Sequence, residues 1–116
     1  MNQSDLPTVR LLARNGAFSF TNHAYMQMLN RDVSFDDVEA ILISPTNQII
    51  ESPSSTPGKE HSDERVLLYD PCGSKDTIII FVVLFTPTPD LRVVTVENVD
   101  EEIWERKEGI PCLVRK

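Results

Sequence analysis

The eight residues Ile78–Phe85, IIIFVVLF, are apolar without a break, and this run constrains the chain more than any other stretch. It is too short to cross a bilayer as a helix, and being apolar on both faces it suits the buried central strand of a sheet. The hydrophobic period is two from Asn47 onward, which predicts strands at 47–51, 65–69, 77–85 and 91–98. The turn-forming segments DPCGSKD and TPTPD join the last three. Connections this short favour an antiparallel meander with 77–85 in the middle. Between the first two strands, residues 52–63 (SPSSTPGKEHSD) are rich in Ser, Pro and Gly and read as a mobile loop.

Helical signals precede the sheet. Ser4 can cap a first helix with Asp5 and Pro7 in its opening turn, Leu6, Val9, Leu12 and Ala13 on one face, and Gly16 as its stop. Arg10 and Arg14 are then expected to solvate its outer face. Phe18-Ser19-Phe20 is a short extended approach to a second helix capped by Thr21 or Asn22. In that helix Tyr25, Met26 and Leu29 are expected to face the core with Ala24 and Met28 flanking. His23, Gln27 and Arg31 recur at i, i+4 and i+8 on a separate stripe. The methionines read as gap-filling core residues. Ser34 with Asp37 forms a capping-box pattern for a third helix at 35–43, in which Phe35, Val38, Ile41 and Leu42 turn inward. Asp36, Asp37 and Glu39 complement the start of that helix, and Pro45 lies just past its end. Asp100 is expected to cap a last helix at 101–107, with Ile103 and Trp104 packing back. The fold class is therefore α+β, a single domain over 1–116 with N-terminal helices on a four-stranded, mainly antiparallel sheet and a short C-terminal helix.

Composition narrows the function. A formal charge of −7 argues against broad, sequence-independent attraction to nucleic acid, so any RNA contact must be local. Cys72 and Cys112 are far apart and form no CxxC, so they read as free thiols in a reducing compartment. With no membrane-length apolar run and no visible secretory signal, a cytoplasmic protein is expected. GxSxG, P-loop and GxGxxG motifs are missing, which removes those nucleophile and nucleotide readings. No cofactor is signalled. A metal site would need His61, His23 and a carboxylate to meet, at a spacing unlike known ligand patterns.

The candidate chemistry lies on the second helix. His23 has the side-chain type suited to proton transfer near neutral pH, although a surface or capping histidine has the same signature. Arg31 offers a fork of donors to a phosphate, or a salt bridge to Asp32, Asp36 or Glu39. Arg65, at a strand start, can converge with that pair or bond Glu51 across the sheet. Gln27, with Thr95 and Glu97 from the polar positions of the last strand, completes a candidate substrate-binding set.

The spaced pattern His23-Ala24, Met28, Arg31, Val33 and Asp37-Val38, followed by a strand carrying Arg65 and a strand reading VVTVE, resembles the DUF4258 family of small bacterial domains over roughly 18–98. The family's HAxxRMxxRxI run implies His23, Arg31 and Val33, whereas Gln27 stands where an arginine is common. The family is similar in layout to the RelE-like and BrnT-like ribonuclease toxins. By that analogy the resemblance implies metal-independent RNA cleavage by attack of the 2′-hydroxyl on the adjacent phosphate. His23 would move the proton, and Arg31 with Arg65 would steady the phosphorane charge. The alternative is a non-catalytic module that keeps the fold and binds a protein partner. The two differ in geometry, because catalysis needs His23, Arg31 and Arg65 around one concavity.

Overall fold

The computed structural model describes residues 3–51, 64–73, 76–85 and 90–116. The 52–63 segment with His61, and the side chains of Ser4 and Arg65, lie outside the described residues. A turn of 3-10 helix, Gln3–Asp5, leads into α1 (Leu6–Arg14), followed by β1 (Phe18–Phe20), α2 (Asn22–Asn30) and α3 (Phe35–Ile43). The strands β2 (Gln48–Glu51), β3 (Glu64–Tyr69), β4 (Ile78–Phe85) and β5 (Asp90–Asn98) come next, then β6 (Trp104–Arg106) and β7 (Leu113–Arg115).

The sheet has five strands in the order β1-β5-β4-β3-β2, so β4 is central as its unbroken apolar run requires. Neighbours are antiparallel except β1, which runs parallel to β5. The fifth strand is a correction to the four expected, because three residues are too few to display a period. The C-terminal helix is also corrected. Asp100 does cap, accepting from the Glu102 amide through its side chain and from the Ile103 and Trp104 amides through its carbonyl. The chain then turns and enters a β6–β7 hairpin. A cap signature is shared by helices and tight turns, and burial of Trp104 and Leu113 against the sheet decides between them here.

The double-sided character of β4 divides the core. Ile78, Ile80, Val82 and Leu84 pack with α1, α2 and α3, together with Val66, Leu68, Leu91, Val93 and Val96. Ile79 and Phe81 point the other way, into a smaller cluster with Leu67, Tyr69, Trp104 and Leu113. Each fully buried aliphatic side chain contributes about 1.5–3 kcal/mol, so both layers are needed to satisfy β4. Arg115 ties the hairpin down through paired bonds to Glu51 and lies over the Trp104 ring. Arg106 donates to the Tyr69 hydroxyl at 2.6 Å.

On the helical side, Ser34 and Asp37 form the reciprocal capping box, and α3 ends at Ile43 just before Ser44 and Pro45. Arg10 does more than solvate α1. Its Nε donates to Asn47 Oδ1 at 2.9 Å and its Nη2 to the Asn47 carbonyl. Buried Asn47 in turn donates to the Ile41 and Leu42 carbonyls, satisfying the end of α3. No helix among the described residues is long and apolar enough to cross a membrane.

Candidate functional site

Thr21 sets the position of α2. Its hydroxyl accepts from the Ala24 amide as the N-cap and donates to the Val94 carbonyl, while its own amide bonds the Val93 carbonyl. β1 pairs with β5 only through Val93, so α2 takes over along the β5 edge where β1 stops. Ala24 and Met28 point into the core. The chain leaves α2 at Asp32, whose φ of 54° lets the Val33 amide close onto the Met28 carbonyl.

This placement reverses the expected assignment of the helix faces. Tyr25, Met26 and Leu29 are 56%, 54% and 60% exposed, and Phe35 at the start of α3 is 52% exposed. Both candidate faces carry apolar side chains at helical spacing, so period alone cannot choose between them. The two Thr21 bonds to β5 fix the rotation that turns Ala24 and Met28 inward. Phe35 instead closes a ring cluster over β1, with centroids 5.4 Å from Phe18 and 5.1 Å from Phe20.

Gln27 has a structural task. Its Oε1 accepts from the Val96 amide at 2.8 Å, which satisfies the β5 edge beyond the end of β1. An arginine has no acceptor and could not make this bond. The bulge between the Phe81–Thr95 and Val82–Val93 pairs leaves Val94 over, and it shifts the phase so that Val96 faces the helices. Thr95 and Glu97 therefore pair beside Phe81 and Ile79, the residues of the hairpin-side cluster, and not beside Gln27.

His23 is exposed near the start of α2, and Arg31 is the half-buried C-cap. Eight residues of helix separate them by about 12 Å along the axis. Arg31 borders an open hollow of about 460 Å³ with Glu97, Asn98, Val99, Asp100, Glu101 and Ile103. His23 is not among the residues lining it. Three carboxylates share that hollow with one guanidinium, an unfavourable setting for a phosphate. Among the described residues Arg31 makes no ion pair. The side chain of Arg65 lies outside the described residues, and its backbone pairs with Val83 in the β3–β4 register. The Glu51 partner considered for it is occupied by Arg115. The structure thus brings Arg31 and Glu97 to one hollow and leaves His23 apart from it.

A second cleft, about 370 Å³, runs between Leu6, Arg10, Pro45, Pro71, Cys72 and Ile110. Cys72 is exposed and Cys112 half-buried, and burial pushes the Cys112 thiol above the ordinary range. Among the described residues no group of three His, Cys, Asp or Glu side chains could hold a metal ion. Sequence reasoning missed the role of Gln27 and the outward apolar face of α2. One signal was available, since the 16 residues 15–30 contain no Asp, Glu, Lys or Arg in a chain that is 25% charged.

A family model, described as a domain of unknown function (DUF4258), matches residues 20–98. No curated protein and no solved structure matches the chain.

Proposed function

The chain belongs to the DUF4258 family, whose description assigns no activity, and from that premise we propose that it is a non-catalytic protein-interaction domain. Its contact surface is the uncharged segment from β1 through α2. One observation carries this reading: Tyr25, Met26 and Leu29 all present more than half of their surface to solvent on one short helix. Scattered apolar side chains are ordinary on a surface, but three large ones together mark a contact site. The same helix keeps Ala24 and Met28 for the core, so the outward set lies outside it.

The ribonuclease reading, with the RelE-like analogy behind it, asks for an acid–base group and two cations around one phosphate. The distance from His23 to Arg31 and the carboxylates beside Arg31 weigh against it. The test is affinity capture from a lysate of the source organism with the native chain and a Tyr25→Glu/Leu29→Glu variant. A stoichiometric protein partner, identified by mass spectrometry and lost with the variant, is expected. RNA cleavage by the purified native chain that disappears in both His23→Ala and Arg31→Ala would overturn the reading.

A further inference from the structure

We propose that the partner is a second copy of this chain, joined through the outer edge of β1 so that two five-stranded sheets become one of ten strands. The inference rests on the interaction-domain reading and names its partner.

The sheet has two outer strands, and they are treated differently. At β2, the Gln3 side chain takes the place of a neighbouring strand, donating to the Ile49 carbonyl at 2.7 Å and accepting from the Ile49 amide at 3.1 Å. That edge is closed at Ile49. At β1, the parallel pairing uses the Ala17 carbonyl and the Thr21 amide toward β5, which sets Ser19 inward in phase with them and turns the peptide groups of Phe18 and Phe20 outward. Among the described residues nothing bonds those outward groups. An open edge of this kind is a template for another strand; natural edges are guarded by shortness, which β1 has at 3 residues, or by charge. Here the surrounding segment 15–30 carries none.

The helix that follows supports the same side. Gln27 points at β5 through its bond to Val96. Tyr25 and Leu29 lie two residues before and after it, about 200° around the helix, so they face away from β5 as the open edge does. Phe35 rests on Phe18 and Phe20 and is half exposed beside them.

A second copy fits this surface better than a charged partner. Two chains of charge −7 repel, and the uncharged segment 15–30 keeps carboxylates out of the strand-to-strand contact itself, with Asp36 beside Phe35 at its margin. Antiparallel pairing about a two-fold axis at Ser19 sets Phe18 against Phe20 of the partner copy and the reverse, as two hydrogen-bonded pairs with four bonds in all. Ser19 then faces itself. Tyr25, Leu29 and Phe35 each expose on the order of 100 Å², and with the strand edge this brings the contact to the low end of specific interfaces, about 1,000 Å² in total. The expected dissociation constant is on the order of 10–100 µM.

Sedimentation velocity on the native chain across a concentration series from about 5 to 500 µM reads this directly. A monomer–dimer equilibrium is expected, weakened at least about threefold by Ser19→Lys, which sets like charges opposite each other on an exposed position. Ser19→Cys is expected to cross-link two chains under glutathione disulfide, because a non-hydrogen-bonded antiparallel pair brings its Cα atoms to about 4.5 Å. A Glu105→Cys control should not cross-link, both variants carrying Cys72→Ser to remove the exposed native thiol. Circular dichroism of each variant confirms the fold. A monomer at every concentration, or a dimer indifferent to Ser19→Lys that does not cross-link through S19C, overturns the inference. If such a monomer still binds a different protein in a manner lost with Tyr25→Glu/Leu29→Glu, the interaction-domain reading stands and only the partner is wrong.

Discussion

Replacing Gln27 by Met tests whether this side chain is a structural bracket or part of a substrate stripe. The residue is half-buried, and its amide oxygen accepts from the Val96 amide at 2.8 Å where β1 no longer covers β5. Methionine keeps the length and the helix propensity but offers no comparable acceptor, so the substitution isolates the hydrogen bond. A net hydrogen bond is worth roughly 0.5–1.5 kcal/mol, and the partial burial places the expected loss near 1 kcal/mol. For 116 residues an unfolding entropy of about 2.1 cal/mol/K per residue gives about 0.24 kcal/mol/K, so Tm should fall by about 4 °C. Hydrogen exchange at the Val96 amide, which loses its acceptor, should accelerate by more than the roughly fivefold that a global loss of about 1 kcal/mol imposes on the amides of β4. Gln27→Glu retains an acceptor and should stay within about 0.5 kcal/mol of the native chain, whereas Gln27→Arg should resemble the methionine variant. Unchanged Tm and unchanged Val96 protection in Gln27→Met would refute the assignment of Gln27 to the β5 edge.

Asn47→Ala strands the Ile41 and Leu42 carbonyls and removes the acceptor of the Arg10 Nε bond, leaving Arg10 only its bond to the main-chain carbonyl, so urea denaturation should report a loss of about 2–4 kcal/mol, much larger than for an exposed asparagine. At Gly73 an added Cβ would come within 2.5 Å of Asp70 Oδ2, while the other Asp70 oxygen is held by the Thr46 hydroxyl and the Cys72 amide. Gly73→Ala should therefore destabilise by about 1–3 kcal/mol in the same assay. Burial pushes the Tyr69 phenol above its ordinary range, against the lowering effect of its Arg106 bond, and burial likewise pushes the Cys112 thiol up. The folded chain holds both protons more tightly than the unfolded chain, so stability is full below the ordinary thiol and phenol ranges and should fall as pH rises past about 8.5 and then about 10. Thermal melts between pH 7 and 11 check the sign. Cys72, exposed, should react with a disulfide reagent before Cys112 does at every pH in that range.

Local patterns carried the elements well. The apolar run of β4 identified the central strand because one face alone could not absorb it, and Ser34 with Asp37 located α3 because both partners of a capping box lie within four residues. β1 and the hairpin were less legible. β1 exists because β5 offers it a parallel partner, and β6 and β7 exist because the outer face of β4 and β3 needs a cover for Ile79, Leu67 and Tyr69. Those are long-range demands, and no local window contains them.

The candidate site divides the same way. The sequence by itself determined that a helix capped by Thr21 or Asn22 begins there, that His23, Gln27 and Arg31 recur at helical spacing, and that the whole stretch 15–30 is uncharged, since these follow from helical period and residue type. Only the tertiary structure decided which face of α2 is inside. The helix carries apolar residues on two faces, Ala24 with Met28 and Tyr25 with Leu29, and the bonds of Thr21 and Gln27 to β5 select the first pair for the core. That rotation leaves the larger side chains on the surface, where the proposed contact lies, while the length of the helix keeps His23 from the hollow beside Arg31.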